Sequence, residues 1–195
     1  ESDWLIGQGL FTENVNGLAI RSMKEPGTAY NDPILGADPQ PAHMDDYVVT
    51  TADAGGVHIN SGIPNRAFYV MAMEIGGYAW EKTGQIWYAA LTEKMSATSD
   101  FDDAARLTYE AAGDLFGKGS LEQKAVRFGW SEVGLSVGEV EDENGGGNGG
   151  DGGDGGDGGD DSGGDQNNSN GGSNNPGCLD SFISSSTLRQ LFGRS

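Results

Sequence analysis

This 195-residue chain has few residues able to do acid–base or nucleophilic chemistry: two histidines and one cysteine. His58 stands in DAGGVHINSGIPNRAFY, a turn-rich stretch running from Asp53 to Tyr69 ahead of a strong helical pattern. Asp53 precedes it by five residues, across a flexible Ala-Gly-Gly turn. That spacing lets the carboxylate fold back onto the imidazole, fixing its tautomer and favouring its charged form. Gly55 and Gly56 also permit a backbone to approach a ligand closely. From residue type alone the bland reading stays open, because a single histidine is more often satisfied by a backbone carbonyl than used in chemistry.

Other chemistries lack their residues. His43 and His58 lie 15 positions apart and do not form HExxH, and Cys178 stands far downstream, so no self-sufficient zinc site is present. No Walker loop and no GxSxG occurs. GQGLFTENVNG (Gly7 to Gly17) lacks the preceding strand and the third glycine of a phosphate cradle. His43, beside Asp45, Asp46 and Tyr47 in a Pro-rich loop, reads as structural or exposed.

Three regions follow from composition. Residues 1–137 carry 19 acidic and 9 basic side chains, and a single folded domain of this length can bury a sizeable core. Residues 138–177 form an acidic linker rich in Gly and Asn, where Val140 is the sole aliphatic residue up to Asn175, and they are expected to be disordered. Asp151, Asp154, Asp157 and Asp160 recur every three residues, but without the apolar position of a calcium-binding β-roll repeat, so a solvated linker is expected. Residues 178–195 hold Leu179, Phe182, Ile183, Leu188, Leu191 and Phe192, a short amphipathic helix or the remnant of a sorting tail, but no membrane anchor. The net charge of −19 disfavours nucleic acid and anionic lipid as partners. No run reaches the length of a membrane span. The opening ESDWLIG, without Met or a signal pattern, reads as the start of a piece of something longer.

The elements that must position His58 are mainly helical. Four of the six prolines fall between Pro26 and Pro41, which excludes long helices there and makes the first 50 residues loop-rich. Four helical patterns follow. The first starts near Pro64, with Ala67, Phe68, Met71 and Ile75 on one face, and ends at Gly76 and Gly77. The second covers roughly Trp80 to Met95, with Trp87, Ala90, Leu91 and Met95 as its stripe. The third opens on a capping box at Ser99 and Asp102, repeats Phe101, Ala104, Ala105, Thr108, Ala112 and Leu115, and stops at Gly117. The fourth begins at Ser120, buries Leu121, Ala125 and Phe128, and stops at Gly134. The expected fold is a mainly α helical bundle behind a loop-rich N-terminal part.

The run Asp-x-Gly-Gly-Val-His-x-Asn-Ser-Gly closely resembles the segment of thermolysin-like (M4 family) metallopeptidases that carries their proton-donating histidine. The resemblance extends from DWLIGQGLFT (Asp3 to Thr12) through IRSMKEP (Ile20 to Pro26) to SEVGL (Ser131 to Leu135), in the family's order. In that family a zinc ion held by HExxH and a downstream glutamate activates water against a peptide carbonyl. The resemblance implies that His58 stabilises the developing oxyanion and donates a proton, and that Asp53 orients it. It implies that Arg21 supports the S1′ pocket and binds a substrate carbonyl, and that Ile6, Leu10 and Ile20 wall that pocket, favouring a bulky apolar residue after the scissile bond. Without the resemblance, Arg21 reads as a surface charge paired with Glu25, and the three apolar residues read as core.

The departures from the family are equally specific. The zinc ligands and the catalytic glutamate belong upstream of Glu1, in an N-terminal domain that forms the other wall of the cleft. Leu5, Gln8 and Leu18 stand where relatives place acidic calcium ligands, with Asp3 retained, so calcium binding is possible but its full complement is not expected. The resemblance therefore implies the C-terminal domain of a secreted zinc endopeptidase acting on peptide or protein substrates, inactive without its zinc-binding half. A non-catalytic peptide-binding module built on the same domain is the alternative, and a surface protein whose acidic linker binds cations is a third reading.

Overall fold

Proline and glycine placement shapes the first third of the chain into short pairings and tight turns. The computed structural model describes residues 2–137. The expectations for the linker and for residues 178–195 lie outside the described residues. Strands β1 (Leu5–Ile6) and β2 (Arg21–Ser22) pair antiparallel, Leu5 opposite Ser22 and Ile6 opposite Arg21. Strands β3 (Asn31–Asp32) and β4 (Gly36–Ala37) form a hairpin, Asn31 opposite Ala37. Two buried aspartates organise the loops around them. Asp32 accepts the amides of Asn16, Ile34 and Leu35, which hold its carboxyl below the usual carboxylate range. Asp38 accepts those of Gly27, Ala29 and Gln40. Buried backbone donors that no strand ladder can satisfy are met this way.

The remaining residues form the helical layer: α1 (Asp53–Asn60), α2 (Gly62–Ile75), α3 (Lys82–Ala89), α4 (Phe101–Phe116) and α5 (Leu121–Ser131). A π turn, Ala90–Lys94, continues α3. The four expected helices are present, and Gly76 and Gly117 cap α2 and α4 as the sequence indicates. Ser120 caps α5, its hydroxyl accepting the Gln123 amide.

Several details differ from the sequence reading. His58 lies within α1, one helical turn ahead of α2, rather than in a loop, and Pro64 is the third residue of α2 rather than the first. The segment from Trp80 to Met95 is helical only from Lys82. The cap of α4 is Asp100, which accepts the Asp103 amide, while the Ser99 hydroxyl turns back to Ser96. In α5 the apolar face is rotated: Leu121 and Phe128 are exposed, whereas Val126 and Trp130, with Val133 just beyond the helix, are fully buried beside Ala125. The rotation follows from the glycine at position 129, which lets α5 cross close to Met71 and Ala67 of α2 and so chooses the adjacent stripe. Leu115 of α4 is likewise half exposed, its place in the core taken by Leu107 and Ala111.

The core sits between α2, α3, α4 and α5, around Met71, Ile86, Trp87 and Trp130. The Trp87 and Trp130 rings stack with centroids 5.5 Å apart. Their polar edges are satisfied: Trp130 Nε1 donates to Thr108 Oγ1 at 2.8 Å, and Trp87 Nε1 meets Met71 Sδ. Trp130→Ala should cost about 3–5 kcal/mol in chemical denaturation, against less than about 1 kcal/mol for Phe128→Ala. Equal losses would place the two residues in the same environment and contradict the observed rotation of α5.

The N-termini of α3 and α5 are joined by Lys82, whose Nζ lies 2.6 Å from Glu122 Oε1. This bond holds the Glu122 carboxyl below its ordinary value. The stabilisation is complete above the unfolded carboxyl value, about 4.3, and is lost as pH falls through the lowered folded value. Thermal midpoints measured from pH 6 to pH 3 should therefore fall more steeply for the parent than for Lys82→Met; parallel curves would remove the pair from the acid response.

Candidate active-site wall

The backbone at the start of α1 does what the spacing of Asp53 and His58 requires. Asp53, Ala54, Gly55 and Gly56 all have positive φ, from 49° to 89°, a left-handed turn that reverses the chain within four residues. Such geometry is costly for Asp and Ala and free for glycine. At Gly56 space adds a second restriction, since a Cβ there would lie 3.0 Å from both Asn60 Nδ2 and Thr50 Cγ2.

The turn delivers the Asp53 carboxylate to both ends of His58. Asp53 Oδ2 accepts the His58 backbone amide at 2.9 Å, and Oδ1 lies 2.5 Å from His58 Nδ1. The side-chain bond to His58 is the main reason that the Asp53 carboxyl lies below its usual range. An ionised carboxylate can only accept, so Nδ1 carries the hydrogen and donates it. The opposite nitrogen, Nε2, is left to face outward, on a side chain that is 70 % exposed. A ring so held presents Nε2 as an acceptor when neutral and as a donor when protonated, in one orientation.

Arg21 reaches the same region from β2. Its Nη1 donates to Ser61 Oγ at 2.9 Å, and Ser61 Oγ donates to the backbone carbonyl of His58 at 3.0 Å. No ion pair joins Arg21 to Glu25 among the described residues, so that reading of the arginine is replaced by the tie to Ser61. The three apolar candidates do not behave as core. Leu10 is 68 % exposed and Ile20, beside Arg21, is 41 % exposed, while Ile6 is half-buried opposite Arg21. Leu18 is also largely exposed. An apolar edge is thus left uncovered along the segment that carries Arg21.

Three residues of the site had no separate place in the sequence reading. Asn60, the last residue of α1, is buried, and its side-chain amide exchanges two 2.9 Å bonds with the backbone of Val48, pinning loop 47–50 beside the turn. Ser61 links Arg21 to His58 as described. Gln40 comes in from the Pro-rich loop, its Nε2 donating to the His58 carbonyl at 2.9 Å and to Ser61 Oγ at 3.0 Å. Asn60 and Ser61 lie inside the HINSG run and could have been found there. Gln40 carried no signal beyond its place in an ordered-looking loop. His43 is a local brace: its Nδ1 accepts the Asp45 amide, and its ring lies against the backbone of Gly134.

A metal ion finds no ready set of donors. Among the described residues no three of His, Cys, Asp and Glu gather where they could hold one. His58 has one nitrogen to spare, and Asp3 accepts the Leu5 amide through Oδ1. The residues present do not fit a zinc site of their own. Among the described residues no helix is long and apolar enough to cross a membrane.

Comparison with known proteins gives the family of this domain. A family model described as the alpha-helical domain of thermolysin metallopeptidase matches residues 1–135. Protease PrtS of Photorhabdus sp. (strain Az29) is 49 % identical over 144 residues, covering 72 % of this chain and 38 % of that protein. An extracellular metalloprotease of Pectobacterium carotovorum subsp. carotovorum is 48 % identical over 138 residues, covering 70 % and 39 %. Among solved structures, the precursor of protealysin, a metalloproteinase from Serratia proteamaculans, superposes with a TM-score of 0.66 at 52 % identity, covering 70 % of this chain and 42 % of that one. The chain spans about two fifths of the length of these relatives. With the family model matching residues 1–135 and relatives near half identical across that part, the chain belongs to the thermolysin metallopeptidase family, of which it carries the alpha-helical domain.

Proposed function

We propose that this chain supplies one wall of the active-site cleft of a secreted, zinc-dependent metalloendopeptidase, and is inactive until joined to a zinc-binding half. The observation that carries the reading is the Asp53–His58 pair, held by a left-handed turn with Nε2 facing outward and tied through Ser61 to Arg21. As a peptide carbonyl becomes tetrahedral, its oxygen gathers negative charge. Protonated His58 Nε2–H is the donor for that charge and the source of a proton, and Asp53 holds the ring through Nδ1. Arg21 is fixed by one N–H at Ser61 and binds a substrate carbonyl with the others. Ile6, Leu10 and Ile20 offer apolar surface beside it, which suits a bulky apolar residue just after the scissile bond. Secretion is supported by relatives named as extracellular proteases.

The test joins the full 195-residue chain to the zinc-binding half of the protealysin precursor, in place of the part it matches. The hybrid should hydrolyse peptides, and His58→Ala should lower kcat/KM by on the order of 100-fold or more. A folded hybrid that binds peptide without cleaving it would favour the non-catalytic module instead, and unchanged kcat/KM in His58→Ala would remove the assignment of this residue.

Asp53→Asn tests the pair separately. An asparagine keeps the shape but removes the carboxylate that receives Nδ1–H, so kcat/KM should fall roughly 10- to 100-fold. A rate unchanged in Asp53→Asn would remove Asp53 from the site.

A further inference from the structure

The Gln40 side chain is buried, and its carbonyl Oε1 has no hydrogen-bond partner. Rotating the amide would not help. It would turn Oε1 toward the His58 carbonyl and Ser61 Oγ and remove both donors that Nε2 now supplies. The orientation is therefore set by its two donated bonds, at the expense of an orphaned acceptor. A residue serving only to fill space would be apolar and carry no such loss.

The two bonds meet a group that is otherwise saturated. Ser61 Oγ accepts from Arg21 Nη1 and from Gln40 Nε2, and donates to the His58 carbonyl. The His58 carbonyl accepts from both Ser61 Oγ and Gln40 Nε2. It lies where the helical ladder breaks between α1 and α2, so side chains take the place of the missing backbone donor. The loop that carries Gln40 is fixed in turn, its amide received by Asp38, which also accepts Gly27 and Ala29.

We infer that Gln40 is a positioning residue whose amide, acting through Ser61, sets the placement of the Arg21 guanidinium relative to His58. This rests on the proposed roles of Arg21 and His58. A glutamate in its place keeps the shape but, when ionised, has no hydrogen to donate to either acceptor, so an amide is the group the site requires.

Two measurements test it, one of which does not depend on catalysis. In the 195-residue chain alone, Gln40→Met should lower the NMR order parameter of the Arg21 side-chain Nε–Hε group and speed its exchange; an Arg21 unchanged in both would overturn the inference. In the hybrid enzyme, Gln40→Met and Gln40→Glu should each lower kcat/KM roughly 10- to 100-fold, the size expected of a small misplacement, with thermal midpoints near the parent's. Ser61→Ala should do the same, and combining it with Gln40→Met should cost little more, because both act through one link. Losses that multiply, or a rate unchanged by Gln40→Met, would overturn the inference. Should Gln40→Met fail to fold, the comparison of Gln40→Glu with Ser61→Ala carries the same decision. If His58→Ala and Arg21→Lys leave hydrolysis unaltered while Gln40→Met still frees Arg21, the catalytic reading fails and the structural link stands.

Discussion

The candidate site depends on one close contact between the Pro-rich loop and the first turn of α2. Gly62 lies so near that loop that a Cβ there would crowd the Pro41 carbonyl oxygen and come within 3.0 Å of Gln40 Cβ and Pro26 Cβ. Only a residue without a side chain allows the approach. Because the loop closes on the junction of α1 and α2, Gln40 reaches Ser61 and the His58 carbonyl, and Arg21 of β2 reaches Ser61 from the other side. A bulkier residue at position 62 would separate the elements that carry the arginine, the glutamine and the histidine at one point.

Behind that junction the bundle acts as a rigid support. The tryptophan stack and its two polar edges are internally satisfied, so the core has few alternative packings open to it. The site side differs in kind. Arg21, Asp53 and His58 are exposed or half-buried there, the backbone is left-handed over four residues, and the bonds run between side chains and loops rather than along a helical ladder. Placing local strain beside a stiff core fixes Asp53 and His58 in one relation without burying the ring that must meet a substrate. Leu10, Leu18 and Ile20 leave apolar surface exposed along the segment that leads to Arg21.

Much of the fold was legible in the sequence. Four helical patterns, their glycine stops and the Ser120 cap all depend on contacts within three or four residues, and such local signals survive any tertiary arrangement. What failed was the phase of α5. Leu121, Ala125 and Phe128 form a plausible stripe, but Val126, Trp130 and Val133 form another, and periodicity cannot rank two adjacent faces of one helix. The close crossing of α2 at Gly129 decided between them. The Ser99 cap failed for a related reason: Ser99, Asp100, Asp102 and Asp103 offer overlapping cap registers, and the local chain path selected Asp100.

The sequence by itself showed that Asp53 and His58 could meet, because a five-residue spacing across two glycines lets the carboxylate fold back onto the ring, and the left-handed turn brings it there. It also determined the helical character of the domain and, through an uninterrupted ten-residue motif, its family. Only the tertiary structure decided that Ser61 joins Arg21 to His58, that Gln40 completes the link from 18 residues before His58, and that Leu10 and Ile20 face outward. These are contacts between segments whose separation is set by packing, and a buried amide with two donated bonds leaves no periodicity or composition by which to find it.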